Sequence, residues 1–417
     1  MKKQLFLFSA LTLASSLGFA QGVPHTFSSG QPARAAEVNE NFQSVIDLID
    51  ANILGIANNT TALQANTATI SDNTEDIVNN ENTIIGLDTR IGLLEVDSGL
   101  VNATTVAVDC SSDTITNALN SAPALGSLVI NVSGACTETV VITRSNTSLI
   151  GVGSASIAYD IPVTSDAIFG NLQNTISIIG AQNVVVDNLT ISGATAVPSA
   201  DSSVVSGVAI LAGSAAHIKN STISGSYDGV TVSAASARLT GNTIESNVRT
   251  GLLVANTGAA DLLGGNSISQ LTNATPDGRA YGIGIYRSSL VRTLGTNTIT
   301  TANIPFLSAL SVYYNSTFRS YYGLLTIDGN SNLGDHSQVE FRDINYTGNI
   351  SVNTFGILRL TNRVGQTESG ITFTGNINAG LYSLVSSTTG TTIDGNIGCT
   401  GGSAFISGTV TGVTTGC

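Results

Sequence analysis

The sequence predicts a parallel β-solenoid that follows a long α-helical coiled coil. Two periods lead to this prediction. Apolar residues and asparagines occupy positions spaced alternately by four and three residues from Val38 to Leu94, whereas short apolar runs recur every 22 residues between Gly207 and Val254. The first period is that of a coiled coil, and the second is the length of one solenoid coil. The composition, with 44 glycines and only 10% charged residues, favours repetitive β-structure over an ordinary globular surface or a disordered chain.

The first twenty residues have the composition of an export signal. Lys2 and Lys3 precede an apolar run from Leu5 to Leu17, and small residues lead to Ala20, after which we expect cleavage. The apolar run is too short to span a bilayer, and no later stretch reaches the roughly 18 apolar residues that a spanning helix needs. Residues 1–20 are therefore predicted to be a signal peptide of an extracellular or cell-surface protein without a transmembrane segment.

The mature chain is strongly acidic. Loss of Lys2 and Lys3 takes the formal charge from -13 to -15 and leaves Lys219 as the only lysine, so nucleic acid is not an expected partner. The three histidines, His25, His217 and His336, are far apart. Their spacing predicts no metal site.

The predicted coiled coil covers residues 38–97, after a cap or linker at residues 21–37 whose Gly30 and Pro32 are turn signals. A period of 3.5 over eight heptads indicates a left-handed coil and not a single helix on a globular core. The positions that carry the period are Val38, Phe42, Val45, Ile49, Asn52, Ile56, Asn59, Leu63, Asn66, Ile70, Asn73, Ile77, Asn80, Ile84, Leu87, Ile91 and Leu94.

Five consecutive d positions of this coil are asparagines: Asn52, Asn59, Asn66, Asn73 and Asn80. The segment resembles the stalks of trimeric autotransporter adhesins, which have Ile at a and Asn at d, commonly followed by Thr. The pairs Asn59-Thr60, Asn66-Thr67 and Asn73-Thr74 match, whereas Asn52-Ile53 and Asn80-Glu81 match only at the asparagine. The resemblance implies a homotrimer whose inward amides hold chloride or another anion; no other cofactor is expected. The alternative is a weakly helical, Asn-rich linker.

The solenoid body begins after the coil. Gly207-Val208-Ala209-Ile210, Gly229-Val230-Thr231-Val232 and Gly251-Leu252-Leu253-Val254 lie 22 residues apart, and each is followed by a second apolar run in phase. Inward Ile, Val and Leu would stack from coil to coil, while Asn and Gly would form the corners. A β-sandwich is the alternative, although it has no reason to keep a 22-residue repeat in phase.

This body resembles the right-handed parallel β-helix, or pectin-lyase-like, superfamily over roughly 300 residues. The resemblance completes the predicted fold, an all-β right-handed parallel β-helix (solenoid) at residues 154–417 with an N-terminal α-helical trimeric coiled-coil stalk. Residues 98–153 are predicted to be a disulfide-stapled cap, because a solenoid end exposes strand edges and core. Sequence neighbours favour the disulfides Cys110–Cys136 and Cys399–Cys417, and two other pairings are possible.

Catalytic residues are harder to find. A glycoside hydrolase needs two carboxylates about 5 to 9 Å apart, and a lyase needs a base. Asp228 and Glu245 are the best pair, because Asp228 precedes a strand and Glu245 lies in the following one. The other candidates are Asp187, Asp261, Asp328, Asp335, Glu340 and Asp343. Inert β-helices carry similar residues in their turns, and no nucleophile has a base beside it, so we assign no catalytic residue.

Tyrosines are concentrated in one segment. Seven of the ten lie between residues 281 and 346, with several arginines among them. Tyrosine presents an apolar face and a hydroxyl, which suits sugar rings and protein partners. The predicted binding residues are Tyr281, Tyr286, Tyr313, Tyr314, Tyr321, Tyr322, Arg287 and Arg319. The alternative is that these rings stack between coils or between subunits.

Together these features predict a secreted or cell-surface trimeric fibre, similar to an adhesin, whose β-helical head binds glycans or other surfaces or assembles laterally. The scattered carboxylates favour this non-enzymatic interpretation. One alternative is a tailspike-like polysaccharide lyase or hydrolase, and another is a purely structural filament subunit.

Overall fold

The computed structural model describes residues 24–25, 30, 32, 34–100, 103–124, 126–160, 165–166, 170–171, 173–193, 205–270, 280–302, 307–361 and 371–417, with side chains outside residues 68, 70–100, 165–171 and 322. The predicted signal peptide lies outside these residues. Two compact units, Met1–Arg90 and Ile91–Cys417, divide the chain.

A single α-helix, α1, spans Ala35–Leu100, where the sequence places the coiled coil at residues 38–97. Its heptad positions are open to solvent in the single chain: Ile56 and Leu63 are each 67% exposed. The hydroxyls of Thr60 and Thr67 donate 2.8 Å hydrogen bonds to the carbonyls of Ile56 and Leu63. These hydroxyl groups therefore have their hydrogen-bond acceptors within the helix. No helix of the described chain is long and apolar enough to cross a membrane.

His25, which precedes α1, contacts residues in the first turns of the helix. The amide of His25 donates to Oδ1 of Asn41, and Nδ2 of Asn41 donates to the carbonyl of His25, both at 2.8 Å. The His25 ring also contacts the Glu40 carboxylate. Asn41 therefore satisfies both backbone polar groups of His25.

The second unit is a parallel β-helix, as predicted. Three long parallel sheets, which we call sheets A, B and C, are visited in that order by each coil. Sheet A consists of Thr104–Asp109, Leu128–Ser133, Thr147–Gly151, Val184–Asp187, Ala215–Lys219, Ser236–Thr240, Ala259–Leu262, Leu290–Leu294, Thr317–Tyr322, Gln338–Phe341, Ile357–Leu360, Leu384–Ser387 and Ser403–Ile406.

The other two sheets have twelve strands each. Sheet B consists of Ala135–Thr137, Ser156–Ala158, Thr190–Ser192, Thr222–Ser224, Thr243–Glu245, Ser267–Gln270, Asn297–Thr301, Leu325–Asp328, Ile344–Thr347, Thr372–Thr374, Thr392–Asp394 and Thr409–Val410. Sheet C consists of Val140–Ile142, Ile176–Ile179, Ser206–Leu211, Asp228–Ser233, Thr250–Ala255, Ala280–Ile285, Leu307–Val312, Ser331–Leu333, Ile350–Val352, Ile377–Ala379, Ile397–Cys399 and Thr414–Thr415. Ser165–Asp166 and Gly170–Asn171 form a small antiparallel pair.

The core is built from columns of like residues, one per coil. The 22-residue repeat places Val208, Val230 and Leu252 opposite one another in sheet C. The longest column of one residue type is in sheet B, where these partners are all buried: Ile157, Ile191, Ile223, Ile244, Ile268, Ile299 and Ile327. A branched side chain stacked on its own kind fills the interior without gaps.

Asparagine and glycine form the corners, also as predicted. Between sheets A and B, the buried side chains of Asn242, Asn266 and Asn297 are joined by amide hydrogen bonds of 2.9 to 3.1 Å. Between sheets B and C, a second ladder joins Asn330, Asn349, Asn376 and Asn396. The Oδ1 atom of each asparagine also accepts a hydrogen bond from a backbone N–H group of the neighbouring coil. The asparagine side chains therefore provide hydrogen-bond partners for the corner backbone.

The N-terminal end is closed by a short helix, α2, at Ile115–Ser121. Both oxygens of the Glu138 carboxylate accept from its first turn, at 2.8 Å from the Ile115 amide and 3.0 Å from the Thr116 amide. The predicted cap at residues 98–153 extends too far, because Leu128–Ser133 already starts the first complete coil. Within residues 98–153, the strand Thr104–Asp109 and α2 are the elements that cover the end of the β-helix; we call them the closing structure.

Both disulfides have the predicted pairing. Cys110 is bonded to Cys136 and Cys399 to Cys417. The first bridge joins the closing structure to sheet B, and the second ties the last residue to sheet C. Each end of the β-helix is therefore crosslinked to the coils.

Candidate functional site

The corner between sheets C and A carries exposed rings in four successive coils. We call Tyr314, His336, Phe355 and Tyr382 the aromatic corner. Tyr314, Phe355 and Tyr382 are 53%, 43% and 66% exposed, and His336 is also exposed. Each of the four has a positive φ between 55° and 64°, in the left-handed region that bulky residues rarely adopt. The tight corner thus turns these side chains outward.

Three of these rings form a continuous stack. The centroids of His336 and Phe355 are 4.6 Å apart with planes at 10°, and those of Phe355 and Tyr382 are 5.2 Å apart at 12°. Each residue lies two positions before a strand of sheet A, and those strands pair in register. The spacing of the rings is therefore set by the spacing of the coils.

The predicted tyrosines next to this corner form a cluster that is partly buried. Tyr286 contacts Tyr281, Tyr313 and Tyr314 at centroid distances of 6.0 to 6.4 Å. Its hydroxyl is 2.9 Å from Oγ of Ser311, and burial raises its pKa well above the ordinary value. Tyr286 therefore supports the cluster, while Tyr314 presents its ring to solvent.

The remaining residues of the predicted cluster lie elsewhere. Tyr321 is on sheet A, where Nη1 of Arg319 is 3.5 Å from its hydroxyl and the guanidinium of Arg342 lies 5.5 Å from its ring centroid. Arg287 donates to Oδ1 of Asn256 at 3.2 Å on the C–A corner. Tyr322 ends the same strand as Tyr321, and its side chain is outside the described residues.

Tyr346, also in the tyrosine-rich segment, belongs to the core. Its ring is 1% exposed, stacks on Phe373 at 4.8 Å, and its hydroxyl donates to Ser331 at 2.7 Å. Burial raises its pKa. The linear cluster is thus divided among three faces, because each coil returns the chain to all three sheets.

Four of the eight candidate carboxylates, those of Asp187, Asp228, Asp261 and Glu340, are held by cations. Asp228 is 2% exposed and accepts from both Nε and Nη2 of Arg249, the former at 2.9 Å. Burial opposes the charge of Arg249, but the Asp228 carboxylate outweighs it and raises the pKa of Arg249. Glu245 is exposed at the end of a sheet B strand. An ion-paired Asp228 is badly placed to act as a general acid.

The other carboxylates on sheet A are also engaged. Asp261 accepts two 2.7 Å hydrogen bonds from Arg292, Asp187 lies 3.2 Å from Nζ of Lys219, and Glu340 accepts from Arg342 at 2.8 and 3.0 Å. Asp343 is buried and Asp328 is exposed. Asp335 precedes His336 at the aromatic corner. Within the described chain, no group of three or more His, Cys, Asp or Glu side chains is arranged to hold a metal ion.

The stack of His336, Phe355 and Tyr382 was not among the predicted binding residues, although the sequence contains a signal for it. Each ring follows by five residues the strand residue that comes after a corner asparagine: Ser331, Ile350 and Ile377. Aligning the coils on those asparagines would have put the three rings in one column.

Known proteins offer little guidance. No protein-family model and no curated protein matches the chain. Among solved structures, a mutant pectin methylesterase in complex with a hexasaccharide is 18% identical over 53% of this chain and 81% of its own, with a TM-score of 0.35. The Dettilon tailspike protein is 13% identical over 68% of this chain and 62% of its own, with a TM-score of 0.29. Scores this low carry no weight for function, and the fold assignment rests on the strand pairing.

Proposed function

We propose that this protein is an exported, non-enzymatic surface protein whose β-helix binds carbohydrate at the aromatic corner. The stacked rings of His336, Phe355 and Tyr382 are the observation that supports it. The C–H face of a sugar ring packs on an aromatic face. Rings stacked 4.6 to 5.2 Å apart cover each other's inner faces, so a sugar would contact the outer face of Tyr382 and the exposed ring edges along the stack. The residues at the equivalent positions of neighbouring coils are polar, and this favours a binding role for the rings over a purely structural one.

Those neighbouring positions are polar. Ser288 and Asn315 occupy the same place as His336, two residues before a sheet A strand, and Ser288 likewise has a positive φ of 60°. The corner can therefore be made without an aromatic residue. The aromatic rings expose apolar surface to solvent, and the fold does not require them at these positions.

The test measures retention and cleavage together. Purified protein is incubated with a panel of neutral and acidic polysaccharides, and both bound polymer and newly released reducing or unsaturated ends are quantified. Retention without release supports the proposal. Release of ends would instead establish a tailspike-like lyase or hydrolase, and neither retention nor release would indicate a structural filament subunit.

Two variants locate the site. Phe355→Ala together with Tyr382→Ala is expected to weaken retention of a neutral polysaccharide by about thirtyfold, since two contacts of about 1 kcal/mol each sum to about 2 kcal/mol. Phe405→Ala is the matched control, because Phe405 is 67% exposed but lies outside the corner. Equal retention by all three proteins would show that the rings only stack on each other.

The proposal includes a homotrimer formed through α1. Exposed apolar heptad positions such as Ile49, Ile56 and Leu63 support association, since a helix with an uncovered apolar seam is unstable alone. Asn52, Asn59 and Asn66 are exposed in the single chain; Asn73 and Asn80 lie in α1 with undescribed side chains. In the trimer these five amides would face the axis and hold chloride or another anion.

Light scattering tests this part directly. A mass of three chains is expected, and a monomer would overturn it. Replacing the five asparagines by isoleucine is expected to remove the dependence of thermal stability on chloride. Export is tested separately by locating the full-length protein in culture fractions and by sequencing its N-terminus, which is expected to start after Ala20.

A further inference from the structure

The outer face of sheet B carries hydroxyl residues in continuous register. Buried residues such as Ile244 and Ile268 point inward, so the residues beside them in each strand point outward. The outward residue that precedes each buried one pairs with its counterpart in the next strand: Ser156, Thr190, Thr222, Thr243, Ser267, Thr298, Thr326, Asn345, Thr372, Thr392 and Thr409. We call this set the threonine column. With neighbouring strands about 4.8 Å apart, it is roughly 48 Å long.

A second column runs beside the first, two residues further along each strand. Its members are also register partners: Ser192, Ser224, Glu245, Ser269, Thr300, Asp328, Thr347, Thr374 and Asp394. Alternate residues of one strand lie about 6.7 Å apart. The two columns therefore form a grid of hydroxyl groups with intervals of about 4.8 and 6.7 Å, which we call the sheet B grid.

The sheet B grid is open to solvent. Thr372, Thr392 and Thr409 are exposed, and several other threonines of the column are half-buried between their register partners. The outward residues Ala209 and Leu211 of sheet C are, by contrast, fully buried. Of these two faces, the one with the threonines is the one that a ligand can reach.

Strand propensity alone does not explain the composition of the grid. Threonine favours β-strands, but the strands of sheet A have the same parallel geometry and place Arg238, Asp261, Arg319 and Phe405 at outward positions. The twelve strands of sheet B, all within the described residues, contain no lysine or arginine. Sheet B is thus restricted to small, mostly uncharged side chains where sheet A is not.

This composition excludes the common kinds of ligand. An anion needs cations, and the charged members of the grid are the carboxylates Glu245, Asp328 and Asp394. The grid has no outward aromatic ring on which a sugar could stack. Serine and threonine are under-represented among the residues that carry the binding energy of protein interfaces. A surface that is uncharged along the whole threonine column and repeats in two directions fits a ligand with the same properties.

From these features we infer that the sheet B grid is an ice-binding surface. Each threonine hydroxyl has one donor and two acceptor sites for water, and its branched Cβ restricts χ1, so the hydroxyls repeat at the spacing of the coils. In hexagonal ice, water molecules repeat in two perpendicular directions at intervals close to those of the grid. The β-helix backbone holds the hydroxyls in place before binding, so little entropy is lost when the crystal is bound. This inference does not depend on the aromatic corner.

The experiment measures how much of the full chain enters growing ice. Ice is grown slowly on a cooled probe from a dilute protein solution, with serum albumin as an excluded reference, and the protein in the ice and in the liquid is quantified. The wild-type chain is expected to be enriched in the ice relative to albumin. It is also expected to slow the coarsening of small ice crystals held just below the melting point.

Variants locate the surface. Thr326→Tyr is expected to lower the incorporated fraction by about tenfold, because a ring that stands above the column keeps the crystal away from several coils at once. Thr317→Tyr is the matched control, since Thr317 is also half-buried in a strand but lies on the outer face of sheet A. Glu245→Thr is expected to raise incorporation, because it removes a hydrated carboxylate from the second column.

Several results would overturn the inference. These are exclusion of the wild-type chain from ice to the same extent as albumin, or equal incorporation of Thr326→Tyr and Thr317→Tyr when both melt at the wild-type temperature. A change of mass in Thr326→Tyr would reassign the grid to contacts between copies, and selective loss of binding to microcrystalline cellulose would reassign it to a flat polysaccharide. Phe355→Ala/Tyr382→Ala is expected to enter ice like the wild type, which keeps this test separate from that of the aromatic corner.

Discussion

The helix α1 and the β-helix treat their apolar residues in opposite ways. Ile56 and Leu63 of α1 are each 67% exposed, whereas Ile223, Ile244 and Ile268 of sheet B are 0 to 1% exposed. Both regions repeat isoleucine or leucine at a fixed period, but only the β-helix can stack one repeat on the next within a single chain. The apolar residues that repeat along a single helix stay exposed to solvent unless another helix packs against them.

This difference predicts where stability comes from. The β-helix buries each coil against two neighbours, so its stability is a property of the single chain and of the columns that run through it. If α1 forms the proposed trimer, its stability depends on association and hence on protein concentration. The same type of substitution should therefore have different consequences in the two regions.

Glycine substitutions should show the largest contrast. Gly375 has φ +137°, and a Cβ built on it would lie 1.8 Å from the carbonyl oxygen of Gly348, so Gly375→Ala must displace a coil. We expect a loss of more than about 3 kcal/mol in the free energy of unfolding. Gly55 in α1 has open space around its Cβ position, and Gly55→Ala should stabilise the helix by about 0.5 to 1 kcal/mol.

Urea unfolding monitored by circular dichroism measures both effects. Because the β-helix and α1 absorb differently in the far ultraviolet, the two transitions can be followed in the same samples. Equal and small effects of the two alanines would mean that the corner of Gly375 is wider than described.

Apolar truncations should give the next largest contrast. Ile244→Ala removes a side chain stacked between Ile223 and Ile268 and should cost about 2 to 5 kcal/mol. Leu63→Ala should leave β-helix unfolding unchanged and instead lower the fraction of trimer at a given concentration. Tyrosine fluorescence, with no tryptophan present, follows the first, and sedimentation equilibrium follows the second. A loss of β-helix stability in Leu63→Ala would contradict the separation of the two regions.

The sequence predicted the parts of the β-helix that depend on period alone. The repeat of Val208, Val230 and Leu252 was visible because these coils have equal length. Coils outside this repeat vary in length, and there the linear sequence misleads: Tyr286, Tyr321 and Tyr346 form one cluster in sequence but lie at the C–A corner, on sheet A and in the core. Only the register between strands determines which face a residue joins.

The alignment of Arg238, Asp261 and Arg292 across neighbouring strands of sheet A was hidden for the same reason. Arg238, Asp261 and Arg292 are 23 and 31 residues apart in sequence, a spacing that shows no pattern until insertions at the corners are known. The pairing of Asp228 with Arg249 was also hidden, since it depends on the side chains crossing between adjacent coils. Ion pairs and surfaces are thus harder to predict from one sequence than the columns of the core.

The smallest expected effect concerns the pH dependence of β-helix stability. Burial, with the nearby Lys219 and Arg238 cations, lowers the pKa of His217 from 6.5 to about 4, against the opposing pull of Asp187. The unfolded chain therefore takes up a proton between pH 6.5 and about 4 that the folded protein does not. The stability associated with neutral His217 is full above pH 6.5 and is lost as the pH falls to about 4.

His217→Gln removes this proton uptake and keeps a polar group near Oγ1 of Thr240, which is 2.9 Å from Nε2 of His217. Unfolding free energies from urea titrations at several pH values between 4 and 7 should fall less steeply for His217→Gln, by a total of about 1 to 3 kcal/mol. Arg238→Gln should give an intermediate slope, because it removes one of the cations that oppose protonation. Identical slopes for wild type and His217→Gln would show that water reaches the imidazole and that it titrates normally on the outer face of sheet A.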